Sequence, residues 1–345
     1  MVKTHYKLFS CLWELTLKCN LNCMHCGSVA GLARQQELTL SECFRIADEI
    51  IELKCKELTF IGGEIFLYPG WEKIANYLSK QGIVVNLMSN GYRIGKNEIN
   101  QIKFAYLSNV GISLDGTETV HNRIRGNKHS FSQIQKTFNL LNQAEIPIGV
   151  VTSLLEMNYA SLEKLYQFLV ENNVNLWQIQ LVNPMGNMIN KKELILNRKH
   201  IPSLINFIRE KNKDRYMLVV AADNIGYYDD NEAYIRGRDN PICYWSGCQA
   251  GITSLFIDSV GNVKGCGALY DKKFIEGNLK QNSLAEIWTN KKNFSYNRKF
   301  KTDLLSGNCK SCDVGSVCQG GCRASNYFMT NSLYENAFCS HINHN

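Results

Sequence analysis

Along the first two-thirds of the chain, short apolar runs alternate with longer segments whose apolar residues recur at spacings of three and four. This is the pattern of a parallel α/β fold, in which amphipathic helices cover a sheet buried on both faces. It predicts strands at 13–17, 57–61, 84–88, 110–114, 148–153 and 177–181, with covering helices such as 41–53 and 160–171 between them, giving six β/α units. The sharpest turn signals, Asn90-Gly91 and Asp115-Gly116, come directly after predicted strands, where parallel α/β folds build their active sites.

From about residue 240 the texture changes. Strand-like runs at 254–258 and 263–266 flank the turn signal Gly261-Asn262, then come a helix near 283–288 and a cysteine-rich tail. A core domain over 1–239 and a smaller domain over 240–345 are therefore expected. With 345 residues and 45% hydrophobic content the chain can bury a substantial core.

No apolar run, 218–222 included, approaches the roughly 20 residues needed to span a bilayer. Lys3 and Lys7 before Leu8, Phe9, Cys11, Leu12 and Trp13 imitate the start of a signal peptide, but Glu14 interrupts the run and no small-residue cleavage site follows. A cytoplasmic protein with no membrane partner is the expectation.

Cysteine changes this picture most. Fourteen cysteines gather into two groups, Cys11 to Cys55 and Cys243 to Cys339, separated by 187 residues without one. In a reducing compartment, closely spaced cysteines read as metal-binding or catalytic rather than disulfide-bonded. Cys19, Cys23 and Cys26 sit just after the first predicted strand, so three thiolates converge on one loop. Such a trio suits a four-iron cluster with one iron left open, whereas a zinc loop would enlist His25 as fourth ligand and need a partner pair that the isolated Cys43 and Cys55 do not supply. Downstream, Cys243, Cys248, Cys266, Cys309, Cys312, Cys318, Cys322 and Cys339 are enough for two four-thiolate sites, as iron–sulfur clusters or as zinc ribbons. Cys11, Cys43 and Cys55 remain as core residues.

The net charge is +7, but Lys and Arg are spread along the chain. The densest basic stretch, Lys291 to Lys301 with Trp288, Phe294, Tyr296 and Phe300 among it, reads as a solvated helix face rather than a nucleic-acid patch. Eleven thiolates around three oxidised cores would bring the charge down to about +2.

Cys19-x3-Cys23-x2-Cys26 after the first strand resembles the radical S-adenosylmethionine (SAM) superfamily. Gly62-Gly63-Glu64 after the second strand resembles its GGE motif, although Ile65 stands where members often carry proline. Ser89-Asn90-Gly91 and Ile112-Ser113-Leu114-Asp115-Gly116, followed by His121 and Arg125-Gly126, resemble its later SAM-contacting loops. The tail, with Cys248-x12-Gly261-x4-Cys266 and then C-x2-C-x5-C-x3-C from Cys309, resembles a SPASM domain, the auxiliary-cluster module of radical SAM peptide modifiers.

The resemblance implies a partial (β/α)6 TIM-like barrel with a smaller C-terminal iron–sulfur domain. It implies a SAM-binding [4Fe–4S] cluster on Cys19, Cys23 and Cys26, with Gly62, Gly63, Glu64, Asn90, Ser113, Asp115 and Arg125 on the cosubstrate and the Glu64 carboxylate offered to its amino group. Two auxiliary clusters would sit on Cys243, Cys248, Cys266 and Cys322, and on Cys309, Cys312, Cys318 and Cys339. The implied reaction cleaves SAM reductively to a 5′-deoxyadenosyl radical that abstracts hydrogen from a ribosomally made peptide, most simply to crosslink it. Epimerisation and sulfatase-type oxidation are alternatives, the latter weakened because Gly267 follows Cys266 where sulfatase maturases carry an aspartate; a non-enzymatic zinc protein is the remote one. A first strand so near the start is expected to leave no room for a fused leader-binding domain, so leader recognition, if used, would need a separate leader-binding protein or the SPASM surface, and a flavodoxin or ferredoxin reductant is the further partner expected.

Overall fold

A computed structural model describes residues 6–222, 224–225, 232–237 and 245–341. Seven strands, β1 (Ser10–Glu14), β2 (Glu57–Ile61), β3 (Val84–Ser89), β4 (Asn109–Ser113), β5 (Ile148–Leu154), β6 (Leu176–Leu181) and β7 (Leu218–Ala221), lie parallel and in chain order. Helices return the chain after each of the first six, as parallel pairing requires. β8 (Ser254–Ile257) then adds on the other side of β1, again in parallel, with Ser10 opposite both Glu57 and Ser254. The short β9 (Asn262–Lys264) and β10 (Gly277–Asn278) follow antiparallel, completing ten strands in the order β10-β9-β8-β1-β2-β3-β4-β5-β6-β7.

One sheet therefore runs through residues on both sides of position 240. The two expected units share a ladder and an apolar core that reaches from Leu8 and Trp13 to Trp288 and Phe338.

Strand alternation sets the two faces. Cys11, Trp13, Leu58, Phe60, Val85 and Leu87 are buried beneath the covering helices. The residues between them, including Leu12, Glu14, Ile61, Met88, Ser113 and Gln180, point into the curve of the sheet and line its cavities. The helix Leu40–Glu52 illustrates how local chemistry seats a cover: Thr39 and Glu42 form a reciprocal capping box, while Cys43, Ile46, Ala47 and Ile50 face the sheet. Cys11, Cys43 and Cys55 are all buried, and burial pushes the Cys43 and Cys55 thiols up to about 11.

Two details depart from the sequence expectation. β1 ends at Glu14 rather than at residue 17, because the next backbone groups bond elsewhere: Gly63 N–H donates to Thr16 O at 2.8 Å and Glu64 N–H to Lys18 O at 2.8 Å. β7 adds a seventh parallel strand to the six expected; four residues are too short to show a strand period against the preceding helix Ile201–Lys213. Among the described residues no helix is long and apolar enough to cross a membrane. In the basic stretch, Trp288 and Phe294 are buried and Arg298 lies over the rings of Tyr6, Trp288 and Phe294, so these aromatics are spent on packing rather than held out for bases.

Candidate active site

The C-terminal ends of β1 to β4 converge on a cavity of about 170 Å³ whose wall includes all three thiols of Cys19, Cys23 and Cys26. Each sulfur faces a donor. Asn90 Nδ2 approaches Cys19 Sγ at 3.8 Å, Arg125 Nη1 approaches Cys23 Sγ at 3.8 Å, and Ala30 N–H donates to Cys26 Sγ at 3.3 Å. Such donors favour thiolate over thiol and are what a metal-bound sulfur requires around it. Without metal, burial pushes Cys19 up to about 11, helped by the neighbouring charges of Glu64, Cys23 and Cys26; burial also raises Cys23. Loading metal here must therefore expel protons.

Close approach explains the glycine pair. A Cβ on Gly63 would stand 2.4 Å from Lys18 O, and one on Gly62 2.9 Å from Thr16 O, so only glycine lets this loop lie against the cysteine loop. Both glycines line the cavity, as do Asn90, Ser113 and Arg125.

Two of the residues expected on the cosubstrate, Glu64 and Asp115, are buried and already have protein partners. Glu64 is buried, and its carboxylate accepts from Ser89 Oγ at 2.8 Å and Asn90 N–H at 2.9 Å; it braces the third-strand loop, and burial pushes its pKa up to about 7. Asp115 is likewise buried, ion-paired with Arg125 Nε at 2.7 Å and His25 Nε2 at 2.9 Å. Burial works against its ionisation, but Arg125 and His25 outweigh it and hold the carboxyl well below the usual range. His121 completes this buried chain: its Nδ1 accepts Asp115 N–H at 3.1 Å, Nε2 meets Ser130 Oγ at 2.9 Å, and burial together with Arg125 drives its pKa down to about 3. Arg125 thus links the fourth-strand loop to Cys23, and Asp115 orients His25.

A second cavity of about 390 Å³ adjoins the first, sharing His25, Ser28, Ile61 and Gly62. One wall is neutral and polar, with Ser153, Gln180, Asn183 and Asn224; the opposite wall carries Cys266-Gly267-Ala268 and Tyr270. At its floor Glu14 pairs with Arg34, which also donates to Ser259 Oγ at 2.6 Å and reaches Tyr270 Oη at 3.4 Å. Tyr270 Oη in turn donates to Ser28 O at 3.0 Å, tying the C-terminal loop to the first cysteine loop. Sequence reasoning noticed Glu14 only as an interruption of an apolar run. A charge inside a buried strand is itself a signal, since burial without a partner is costly.

The later cysteines form two neighbourhoods. Cys309, Cys312, Cys318 and Cys339 lie close enough for their charges to interact, and burial plus that mutual repulsion pushes Cys318 up to about 12. Asp313 and His341, 2.8 Å apart, stand beside Cys312. Cys248, Cys266 and Cys322 gather around Tyr296 and Arg323. The Tyr296 hydroxyl is buried there without a well-aligned hydrogen-bond partner, an orphan donor that sulfur ligands would satisfy. Cys243 lies outside the described residues. Convergent thiols and unspent donors in both places fit thiolate-ligated iron–sulfur groups.

These features define a class. The sequence profile of the radical SAM superfamily matches residues 13–169, and that of SPASM, an iron–sulfur cluster-binding domain, matches residues 248–313. The chain is a radical SAM enzyme carrying a SPASM domain, and these domains bind [4Fe–4S] clusters and SAM. Among individual proteins it is similar to the AdoMet-dependent heme synthase of Methanosarcina barkeri, 26% identical over 339 residues that cover 95% of each protein. It is also similar to the mycofactocin maturase MftC of Mycolicibacterium smegmatis, 26% identical with 92% of this chain and 78% of that one covered. In fold it resembles Streptococcus suis SuiB bound to S-adenosylmethionine (TM-score 0.78, 16% identity, 98% of this chain and 79% of that one). A second fold match is anSMEcpe with bound AdoMet and a peptide (TM-score 0.73, 19% identity, 97% and 94%).

Proposed function

We propose that the chain is a peptide maturase in which Cys19, Cys23 and Cys26 hold a SAM-binding [4Fe–4S] cluster, and the cysteines from Cys243 to Cys339 hold two more. A cluster with one open iron supplies the electron that breaks SAM into methionine and a 5′-deoxyadenosyl radical. The chain's own residues do the rest. Asn90 and Arg125 steady the sulfurs, Gly62 and Gly63 keep the wall flat for the cosubstrate, and the curved sheet with its covering loops keeps water from the radical. Hydrogen abstraction then falls on whatever occupies the adjoining cavity.

The observation that carries the substrate class is the lining of that cavity: amides, hydroxyls and apolar side chains, with a single carboxylate, Glu14, already paired with Arg34, and no lysine or arginine among its described residues. A peptide segment presenting a neutral side chain suits such a wall. The names of MftC and of SuiB crystallised with its precursor peptide SuiA support the same class. A crosslink between peptide side chains is the product put forward, with a leader-binding protein and a flavodoxin or ferredoxin reductant as accessory partners. A haem-synthase reading draws on the 95% mutual coverage with the archaeal relative. A haem-type macrocycle, however, brings carboxylates that need cationic partners, and Arg34, behind this wall, is already committed to Glu14.

Anaerobically prepared protein should contain about twelve irons per chain; fewer than four would sink the three-cluster assignment. Coexpression with a short open reading frame encoded beside the gene, followed by peptide mass spectrometry, tests the reaction. A crosslink removes two hydrogens, whereas an unchanged mass with a one-dalton gain in heavy water identifies epimerisation. SAM-dependent conversion of an iron porphyrin with no peptide change would instead establish the haem reading.

A further inference from the structure

The two later cysteine neighbourhoods meet at one cation. Arg323 directly follows Cys322, which caps the helix Arg323–Thr330. Its side chain is completely buried, at 0% exposure. A guanidinium does not shed its proton in a protein, so this charge must be compensated where it lies. Arg125, the other deeply buried arginine near sulfur, is compensated by Asp115. The acidic groups facing Arg323 are instead three thiols and a phenol: Cys248, Tyr334, Cys322 and Cys318.

Only one arm of the fork is spent. Nη1 donates to Gln319 O at 2.6 Å, Leu333 O at 3.1 Å and Gly321 O at 3.3 Å. Nε and Nη2 are buried with no hydrogen-bond partner among the described residues. Tyr334 and Phe300 lie against the guanidinium at 4.6 and 5.6 Å, fixing its plane. An unmet buried donor is costly, so two on one side chain that sits next to Cys322 and among the charges of Cys248 and Cys318 mark a site that lacks its acceptors.

We infer that Arg323 is a positioning cation shared by the two auxiliary clusters: Nη1 clamps the backbone while Nε and Nη2 donate to cluster sulfur, raising the reduction potentials on both sides. The inference rests on the cluster assignment made above, with Cys248 and Cys322 in one set and Cys318 in the other. Hydrogen bonds to sulfur and a nearby positive charge stabilise the reduced, more negative form of such clusters. One residue placed between both sets couples their potentials.

The test uses holoprotein in which Cys19, Cys23 and Cys26 are replaced by alanine, leaving only auxiliary signals, and in which arginine guanidinium nitrogens carry ¹⁵N. Pulsed electron paramagnetic resonance of the reduced protein should show ¹⁵N coupling to an auxiliary cluster. Arg323→Lys should abolish the coupling and shift the auxiliary potentials to more negative values, with iron held at about eight atoms per chain. About eight irons with no nitrogen coupling when Arg323 is intact would overturn the inference and leave the cluster assignment standing. Absence of iron from the protein with Arg323 intact would overturn the assignment itself. Should Arg323→Lys fail to fold, the labelled protein with Arg323 intact still decides.

Discussion

Glu64 offers a measurement that separates a bracing role from a cavity role. In the metal-free protein its carboxylate is fully buried, and burial raises its pKa from 4.5 to about 7 despite the Ser89 and Asn90 donors. A folded-state pKa above the unfolded value means the folded chain binds the extra proton, so the contribution of Glu64 to stability is greatest below pH 4.5 and is lost as pH rises through about 7. A shift of that size corresponds to about 3 kcal/mol, most of which falls between pH 5 and pH 8. Glu64→Gln is the isostere of the protonated form and does not titrate. Urea unfolding of both metal-free proteins across this range should therefore show the variant gaining about 2–3 kcal/mol relative to the parent as pH rises. Comparing the two cancels every other titrating group. A difference that stays flat within about 0.5 kcal/mol would refute the reasoning, because it would mean that Glu64 reaches water and titrates as an exposed carboxylate.

Other perturbations follow from the same geometry. Replacing Cys19, Cys23 and Cys26 together by alanine should remove about four irons per chain, leave the remainder in place and abolish SAM cleavage, as read by iron analysis and 5′-deoxyadenosine release. Asp115→Asn strips the counter-charge from buried Arg125 and should cost about 3–5 kcal/mol in denaturant unfolding, whereas loss of the exposed Arg209–Glu210 pair should cost under about 1 kcal/mol. Gly63→Ala places a methyl 2.4 Å from the Lys18 carbonyl; the cysteine loop must move, and iron at the N-terminal site should fall while the auxiliary iron is retained.

How far the sequence spoke depended on the range of the interactions involved. The alternation at Glu57–Ile61, Val84–Ser89 and Ile148–Leu154 stands in the structure as strands, because burial on one face repeats every second residue whatever the rest of the chain does. Asn90, Gly62 and Gly63 were legible because loops following parallel strands meet at one end of the sheet. Glu64 and Asp115 were read as cosubstrate contacts, and in the structure their carboxylates meet Ser89, Asn90, Arg125 and His25. Each is chemically able to do either, and only partners brought from 10 to 90 residues away decide which. Arg323 shows the same division. Its place beside Cys322 is plain in the chain, but its complete burial between two thiol groups is not.

The sequence by itself therefore determined the parallel sheet, the grouping of the thiols and the loops that carry them, since periodicity and spacing are local properties of the chain. Only the tertiary structure decided that β8 joins β1 to make one sheet across both regions, that a second cavity opens beside the first cysteine loop, and that Glu14, Asp115 and Arg323 are buried charges. Those outcomes depend on which distant segments exclude water from a given side chain. That exclusion is a property of packing in three dimensions, and no period along the chain encodes it.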